Sequence, residues 1–419
     1  MIKNSLKTLQ ERYGNVEKEN INNLAKFMKR RRLEKKLTLE ETSKGICSPS
    51  YLSKIENGLA DVDEYYFQSL FERLDLEYEN IKKEREMDFF SKIVKYYLLD
   101  RYDLLEEKLK QMVNINSYCD TELELIILLN NIIHKNFDEA EILIEKLESI
   151  RNTLSKDEIY LLSFLVTLYL YSTDQYTLAA EQIEILTKHP SENMYYNIAV
   201  CDLGVDIYFV LGKESLFHRY YQKLKQFNNQ ELYNNRVLIH NLQLLVFLAK
   251  NGKKDLIEEL NVLIMSLKDF NVDNEKIVLN EALVYYYLHD YEKVLELTKN
   301  FNNDIKLLAI ESMTLNKMKD FSKCINFIDK LKNANIYYPS SIYSNFIEYM
   351  RQSFEQYSYN KTLSFLKSVV IPSSKINYAF WILEEEKQEF LSLCYELGKY
   401  KEGIRFLIKT GDFKNTKRN

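Results

Sequence analysis

Hydrophobic residues between positions 21 and 79 recur at spacings of three and four, which is the period of one face of an α-helix. This pattern predicts helices over 22–34, 39–44 and 65–74, with polar residues on their outer faces. Thr38, with a glutamate three residues later, predicts a capping box at the start of the second of these helices. A further short helix lies between the second and the last, so the region is predicted to be a compact four-helix domain.

The sequence marks both ends of that further helix. Ser48 is a preferred N-cap residue, and Pro49 fits the first helical position, where its missing N–H leaves no hydrogen bond unmade. Asn57-Gly58 supplies a left-handed stop. Leu52 and Ile55 form the apolar face, so the remaining side chains are predicted to point away from the core.

Residues 1–20 carry a narrower apolar stripe at helical spacing. They are predicted to form an N-terminal helical extension with two possible roles. It either lies on the domain that follows it or contributes to a dimer contact, and the sequence leaves both open. The stripe consists of Ile2, Leu6, Leu9, Tyr13 and Val16.

From about residue 80 a short phrase recurs every 30–41 residues: a small or polar residue, an aromatic residue, then charges. Helical sequence precedes and follows each copy, a pattern typical of tetratricopeptide-like helical hairpins. We therefore predict an all-α protein in which residues 80–419 form about nine hairpins stacked as a right-handed α-solenoid. Clear copies begin at Asp100, Asn136, Asp290, Asp320 and Lys399, and weaker ones lie at Gln175, Gly212, Gly252 and Tyr359.

Composition agrees with a helical protein, and charge is unevenly distributed. Only 9 glycines and 4 prolines occur in 419 residues. Because these two residues disfavour helices most, their scarcity favours a helical protein. The net charge is −5. Residues 21–60, however, contain nine basic and four acidic residues, a net charge of +5, which leaves −10 for the rest. A basic module joined to an acidic body suits a protein whose attraction to phosphates is local.

Several classes of function are disfavoured. The five cysteines and five histidines are scattered without metal-ligand spacing, so neither a metal nor a cofactor is expected. No P-loop, HExxH or GxSxG motif occurs, and we predict that the protein is not an enzyme. No signal peptide is recognised, and the longest apolar run, 159–171, is shorter than the roughly 20 residues of a membrane span. A soluble, cytoplasmic protein is expected.

The run from Ser50 to Gly58 resembles the recognition helix of Cro/repressor-type helix-turn-helix domains, which enters the major groove of DNA. The resemblance implies that Pro49, Ser50 and Lys54 read bases, while Tyr51 contacts a base or the backbone. Relatives usually carry Gln just after the capping Thr, whereas this chain has Leu39. The predicted DNA-binding residues, including cations expected to meet phosphates, are Arg30, Arg31, Arg32, Lys36, Thr38, Ser48, Pro49, Ser50, Tyr51 and Lys54.

Counting back from each turn aromatic places a set of polar residues on the inner, concave face of the array. Amide side chains there suit an extended peptide, because one amide both donates to and accepts from a peptide backbone. A groove that is merely hydrated is the alternative. The predicted peptide-binding residues are Asp202, Asp206, Gln243, Asn280, Tyr286, Lys306, Asn316, Arg351 and Gln388.

A helix-turn-helix at 21–79 followed by a tetratricopeptide-like array resembles the RRNPP quorum-sensing regulators of Gram-positive bacteria (the Rap, Rgg, NprR, PlcR and PrgX group). The resemblance implies a cytoplasmic homodimer in which residues 80–419 bind a short signalling peptide and alter binding to a double-stranded DNA operator. Two alternatives stay open. The array could bind a protein partner, such as a phosphorelay response regulator, instead of a peptide, or the chain could be a Rap-like effector with a vestigial DNA domain.

Overall fold

In the computed structural model of the protein, all regular structure among the described residues is helical, as the sequence predicts. The predicted extension at 1–20 and Gly58 of the helix stop lie outside the described residues. The residues described are 23–57, 59–60, 64–76, 89–114, 121–151, 154, 156–227, 234–267, 274–333, 342–355, 358–372 and 377–410.

The predicted four-helix domain is present. Its helices are α1 (Asn23–Glu34), α2 (Leu39–Ser43), α3 (Pro49–Glu56) and α4 (Glu64–Arg73). Helix α1 packs against α3 and α4, and α2 packs against α3 and α4. The side chains that meet between these helices are apolar and almost fully buried, and they form a continuous small core. This core contains Ala25, Met28, Leu52, Ile55, Phe67, Leu70, Phe71, Leu74 and Leu76.

Leu33 is an apolar residue of α1 that lies outside this core. It is 48% exposed. Five residues separate Leu33 from the buried Met28, which places the two side chains about 140° apart around a helix of 3.6 residues per turn. The apolar side chains that α1 contributes to this core are therefore those of Ala25 and Met28.

Eighteen further α-helices follow in the described part of the chain, and each of the nine predicted turn phrases lies between two of them. A five-residue π-helix, Leu366–Val370, directly continues α20. The helices are α5 (Phe89–Leu98), α6 (Tyr102–Asn114), α7 (Thr121–Ile133), α8 (Phe137–Ser149), α9 (Lys156–Ser172), α10 (Tyr176–Lys188), α11 (Met194–Val210), α12 (Glu214–Gln226), α13 (Asn234–Lys250), α14 (Ile257–Leu267), α15 (Asn274–Tyr287), α16 (Tyr291–Thr298), α17 (Ile305–Met318), α18 (Phe321–Asn333), α19 (Ile342–Glu355), α20 (Tyr359–Phe365), α21 (Phe380–Glu396) and α22 (Tyr400–Thr410).

The turn phrase works through one residue in the left-handed backbone conformation. In six hairpins this residue lies two positions before the turn aromatic, and in two others a glycine takes the same conformation. In six of these turns the next residue donates its backbone N–H to a carbonyl five positions earlier, as Asn136 does to Asn131 at 2.8 Å, which closes the end of the first helix. The left-handed residues are Asp100, Lys135, Asp174, Gly212, Gly252, His289, Lys319 and Gly398.

The chain divides into two compact units, and the first contains the four-helix domain together with the first array helices. Unit 1 comprises residues 1–173, 178–204 and 227–232, and unit 2 comprises 174–177, 205–226 and 233–419. Within unit 1, α7 packs against both α8 and α9. The domain boundary expected near residue 80 falls among residues that are not described, so it stays a prediction.

In unit 2, alternate helices form one layer, which we call the inner layer. Helix α13 packs on α15, α15 on α17, and α17 on α19. The intervening helices α14, α16 and α18 each pack on the preceding member of this inner layer, as expected for stacked hairpins. In the described part of the chain, no helix combines the length and apolar character needed to cross a membrane.

Candidate functional site

The two helices of the helix-turn-helix begin with side-chain caps, as the sequence predicts. The Oγ1 atom of Thr38 accepts the N–H of Glu41 at 3.2 Å, and the Glu41 carboxylate accepts the N–H of Thr38 at 2.7 Å. The hydrogen bonds that the Glu41 carboxylate accepts from the backbone N–H and the hydroxyl of Thr38 lower the pKa of Glu41. The Oγ of Ser48 accepts the N–H of Tyr51 at 3.1 Å. The side chains of Thr38 and Ser48 therefore act as caps, and both residues are exposed.

Helix α3 has one buried face and one open face. Leu52 and Ile55 are fully buried in the domain core, whereas Ser50 and Lys54 are exposed. Tyr51 is half-buried, with its ring edge-on to Tyr66 at 5.7 Å between centroids. The exposed face thus presents a hydroxyl and an ammonium group one turn apart, on a helix whose rotation is fixed by its core contacts. Pro49, at its start, is also half-buried.

Arg32, expected to meet phosphates, is instead an internal residue of the domain. Its Nε and Nη2 atoms donate to the two carboxylate oxygens of Glu56 at 2.7 and 2.8 Å, and Nη1 donates to the carbonyl of Leu37 at 2.9 Å. Both charged side chains are more than nine-tenths buried. The hydrogen bond to Glu56 raises the pKa of Arg32. The prediction for Arg32 is corrected, because this guanidinium links α1 to α3 and is shielded from solvent.

Arg30 is also buried, with its Nη2 atom 3.5 Å from a carboxylate oxygen of Glu158 in α9. Both residues belong to unit 1. A guanidinium 2% exposed does not reach a phosphate in this arrangement, so this prediction is corrected too. Arg31 is half-buried and donates to the carbonyl of Leu74 at 3.3 Å. Lys36 is exposed, as a phosphate-binding cation must be.

The inner-face residues nearest the start of unit 2 form a buried polar cluster. Asp206 accepts from Gln243 at 2.7 Å and from Lys276 at 2.6 Å. His240 lies 2.8 Å from the side-chain oxygen of Gln243, and Asn280 donates to the carbonyl of Lys276 at 2.8 Å. Asp206, Gln243 and Asn280 therefore already make hydrogen bonds within the protein, either to each other or to Lys276, and their role in peptide binding stays a prediction. Sequence reasoning missed Lys276 and His240.

Three other predicted groove residues contact or belong to helix α21. The hydroxyl of Tyr286 donates to Glu385 at 2.9 Å, and Asn316 donates to Glu389 at 2.7 Å. Gln388, itself on α21, accepts from Lys317 at 2.6 Å. At these positions a helix of the chain itself occupies the face that the sequence assigned to a peptide, and peptide binding by these residues stays a prediction.

Two further predicted groove residues are Asp202 and Lys306. Asp202 is buried and belongs to unit 1. The ammonium of Lys306 lies 3.5 Å from a carboxylate oxygen of Asp174. It also lies 5.9 Å from the ring centroid of Tyr176 and 5.7 Å from that of Tyr343.

Arg351 is half-buried at the surface of α19. It forms ion pairs with two carboxylates of its own helix, Glu348 at 2.7 Å and Glu355 at 2.6 Å. The hydrogen bonds to Glu348 raise the pKa of Arg351. Both carboxylates compete with any ligand for this guanidinium.

Comparison with known proteins first defines the class of the N-terminal domain. The helix-turn-helix family model HTH_3 matches residues 28–79. This range contains α2, α3 and α4 and the last turns of α1. The chain therefore carries a helix-turn-helix domain, as the motif at Ser48 to Gly58 predicts. No curated protein sequence matches the chain.

Three solved structures are similar to larger parts of the chain. The apo form of the competence regulator ComR from Streptococcus vestibularis is 17% identical, with 63% of this chain and 98% of that chain covered and a TM-score of 0.34. The Streptococcus dysgalactiae SHP pheromone receptor Rgg2 is 16% identical over 64% and 99%, with a TM-score of 0.25. Bacillus thuringiensis PlcR in complex with the peptide PapR7 and DNA is 13% identical over 80% and 99%, with a TM-score of 0.19.

Proposed function

We propose that this protein is a DNA-binding transcription regulator whose helical array responds to a short linear peptide. The observation that carries the DNA part is the open face of α3 in a matched helix-turn-helix domain. Ser50 and Lys54 are exposed on a helix held by a Ser48 cap and a buried Leu52–Ile55 face. Such a helix presents its first turns to base edges in the major groove.

The roles of the DNA-binding residues follow from their exposure. Lys54 donates to a guanine O6/N7 edge, and Ser50 contacts a base as donor or acceptor. Lys36 and the half-buried Arg31 meet phosphates, which position the domain without reading sequence. Arg30 and Arg32 are left out because they are buried. One domain reads one half-site, so we propose a homodimer that reads two half-sites a whole number of helical turns apart.

The inner layer of unit 2 supports the peptide part of the proposal. Its helices already hold one segment of chain, α21, through amide, phenol and ammonium side chains. The same donors and acceptors suit a bound peptide. Peptide and operator affinities are then linked, and each ligand changes the affinity for the other by the same factor.

The test combines calorimetry of candidate host peptides with titration of a mapped operator. A cognate peptide is expected to bind wild type, to bind Asn280→Ala, Asn316→Ala and Arg351→Ala more weakly, and to change operator affinity. A peptide that binds all four proteins alike, or leaves operator affinity unchanged, refutes the peptide part. Failure of the wild type to bind any operator sequence more tightly than random DNA refutes the DNA part.

A protein partner of the array, such as a phosphorelay response regulator, is the second candidate. It is favoured by an apolar surface on α14, where Val262 and Met265 are 59% and 70% exposed and lie on one side of the helix. Exposed apolar patches of this kind mark protein contacts. Val262→Asp together with Met265→Asp is expected to abolish binding of such a partner in a pull-down while leaving peptide binding intact.

A further inference from the structure

Helix α21 lies across the inner layer of unit 2, and its first turn inserts two aromatic rings there. The ring of Phe380 stacks on Tyr287 with centroids 6.3 Å apart and planes at 8°, and it packs against Phe247 at 5.6 Å. The indole of Trp381 lies 6.0 Å from the ring of Phe209. Three successive inner helices, α11, α13 and α15, thus contribute to one aromatic site for the start of α21.

The second turn of α21 contributes charge to the same contact. Glu384 accepts from Lys250 and from the hydroxyl of Tyr287, at 2.8 and 2.9 Å. Glu385 lies 2.8 Å from the ammonium of Lys317, in addition to its hydrogen bond with Tyr286. The ammonium groups therefore come from the last turns of α13 and α17.

The third turn completes one continuous face. Glu389 accepts from Asn316 and, at 2.9 Å, from the hydroxyl of Tyr349. Contacts at positions 380–381, 384–385 and 388–389 recur every four residues, so a single face of α21 meets five successive inner helices. This is the pattern of an amphipathic helix bound in a groove, with anchors at i, i+4 and i+8.

We propose that this groove is a binding site for a peptide with an aromatic pair followed by carboxylates, and that α21 is its built-in ligand. An external peptide of the same chemistry then binds by displacing α21. The proposal deepens and rests on the proposed function, because it names the class of peptide that the array receives. We define the groove by Phe247, Lys250, Tyr286, Tyr287, Asn316, Lys317 and Tyr349.

The character of the contact favours exchange over permanent packing. Half of its anchors are carboxylates, and burial raises the pKa of Glu385 even though Lys317 opposes that rise. Desolvated ion pairs contribute less to stability than apolar packing of the same size. The indole N–H of Trp381 is buried and has no acceptor among the described residues. This unmade hydrogen bond makes the packing of α21 in the groove less stable.

A covalently attached ligand has an effective concentration on the order of millimolar, so a free copy competes poorly until the attached one is weakened. This gives a direct test with the full chain. The probe is a fluorescein-labelled synthetic peptide of residues 378–396, in which Cys394 is replaced by Ser to prevent oxidation. Binding is read as fluorescence anisotropy, and α21 itself is followed by amide hydrogen exchange of 380–396 in the protein.

The weakened protein is Glu385→Gln combined with Glu389→Gln, which keeps the aromatic anchors, and the matched control is Glu396→Gln on the exposed side of the same helix. The probe is expected to bind the weakened protein at least tenfold more tightly than wild type or control. It should also raise hydrogen exchange in 380–396 of the weakened protein. Adding Lys250→Ala and Lys317→Ala to that protein should lower probe affinity at least tenfold.

The inference is overturned if the probe binds wild type and the weakened protein equally while the weakened protein has the circular dichroism spectrum of wild type. Helix α21 is then a fixed part of the fold. Tighter binding without increased exchange in 380–396 overturns it as well, because the probe then binds elsewhere. If the double variant does not fold, Phe380→Ala in the protein replaces it, because this change removes an aromatic anchor of α21 and leaves the groove residues intact. Regulation of operator affinity by a host peptide is measured separately, so the proposed function stands or fails independently.

Discussion

Gly212 and Phe380 approach so closely that an added Cβ at Gly212 would lie 2.6 Å from the Cβ of Phe380. The glycine also has a φ of +62°, a backbone conformation that residues other than glycine rarely adopt. The hairpin turn between α11 and α12 is therefore both a left-handed turn and one wall of the seat for α21. Gly252, in the next hairpin, has a φ of +89° but no atom within 4 Å of an added Cβ.

Comparing these two glycines separates backbone strain from crowding. Gly252→Ala is expected to lower the free energy of unfolding by about 1–2 kcal/mol, the strain of a left-handed alanine. Gly212→Ala should cost about 1–3 kcal/mol more, because it also overpacks the contact with Phe380. Urea unfolding followed by the emission of Trp381, the only tryptophan, provides the measurement. Equal losses for the two variants would mean that Phe380 yields freely.

The buried Arg32–Glu56 pair predicts a stability defect where the sequence suggested a DNA-binding defect. Arg32→Ala leaves the Glu56 carboxylate buried and unpaired, and is expected to destabilise the domain by about 3–5 kcal/mol. Arg32→Lys should restore little, because a lysine does not reproduce the two-pronged hydrogen bonding. Thermal unfolding is the measurement, with Lys36→Ala as the exposed control. An Arg32→Ala protein that melts like wild type would contradict the structural role.

Exposed Lys54 and exposed Lys36 predict different DNA defects. Lys54→Ala is expected to lower discrimination between the operator and a single-base variant by about 1–3 kcal/mol. Lys36→Gln should weaken binding to all sequences and reduce the slope of log affinity against log salt by about 1. Fluorescence titrations at several salt concentrations distinguish these patterns, and identical profiles for the two variants would exclude a base contact by Lys54.

Glu311 predicts a pH-dependent stability. Burial raises its pKa above the ordinary value of 4.5, and the ion pair with Lys330 at 2.6 Å offsets only part of this rise. Below pH 4.5 the carboxyl is protonated in both states. As the pH rises above 4.5, Glu311 ionises first in the unfolded state, so the protein loses stability. This loss continues until the pH exceeds the pKa of Glu311 in the folded state, and it is not regained above that pH.

Glu311→Gln should remove this loss, so its free energy of unfolding relative to wild type is expected to increase as the pH rises above 4.5. Urea unfolding at a series of pH values measures the difference. Glu296→Gln, at a carboxyl 68% exposed, is the control. A difference between Glu311→Gln and wild type that stays constant with pH would contradict the raised pKa.

The sequence by itself determined the elements and their ends. Caps at Thr38 and Ser48, the apolar faces of short helices and the recurring turn phrase are local signals, because their effects depend on residues within a few positions. The helix-turn-helix and the succession of hairpins were therefore predictable. So was the exposure of Ser50 and Lys54, since Leu52 and Ile55 fix which side of α3 is buried.

Only the tertiary structure decided which polar groups are free. A run of cations such as Arg30, Arg31 and Arg32 looks uniform in sequence. In the structure, however, two of the three are buried, each in an ion pair with a glutamate, Glu158 or Glu56. Likewise, helical spacing placed Asn316 and Gln388 on inner faces but did not show that Glu389 and Lys317 already bind them. These four contacts join residues from 24 to 128 positions apart, and no local periodicity encodes such a distance.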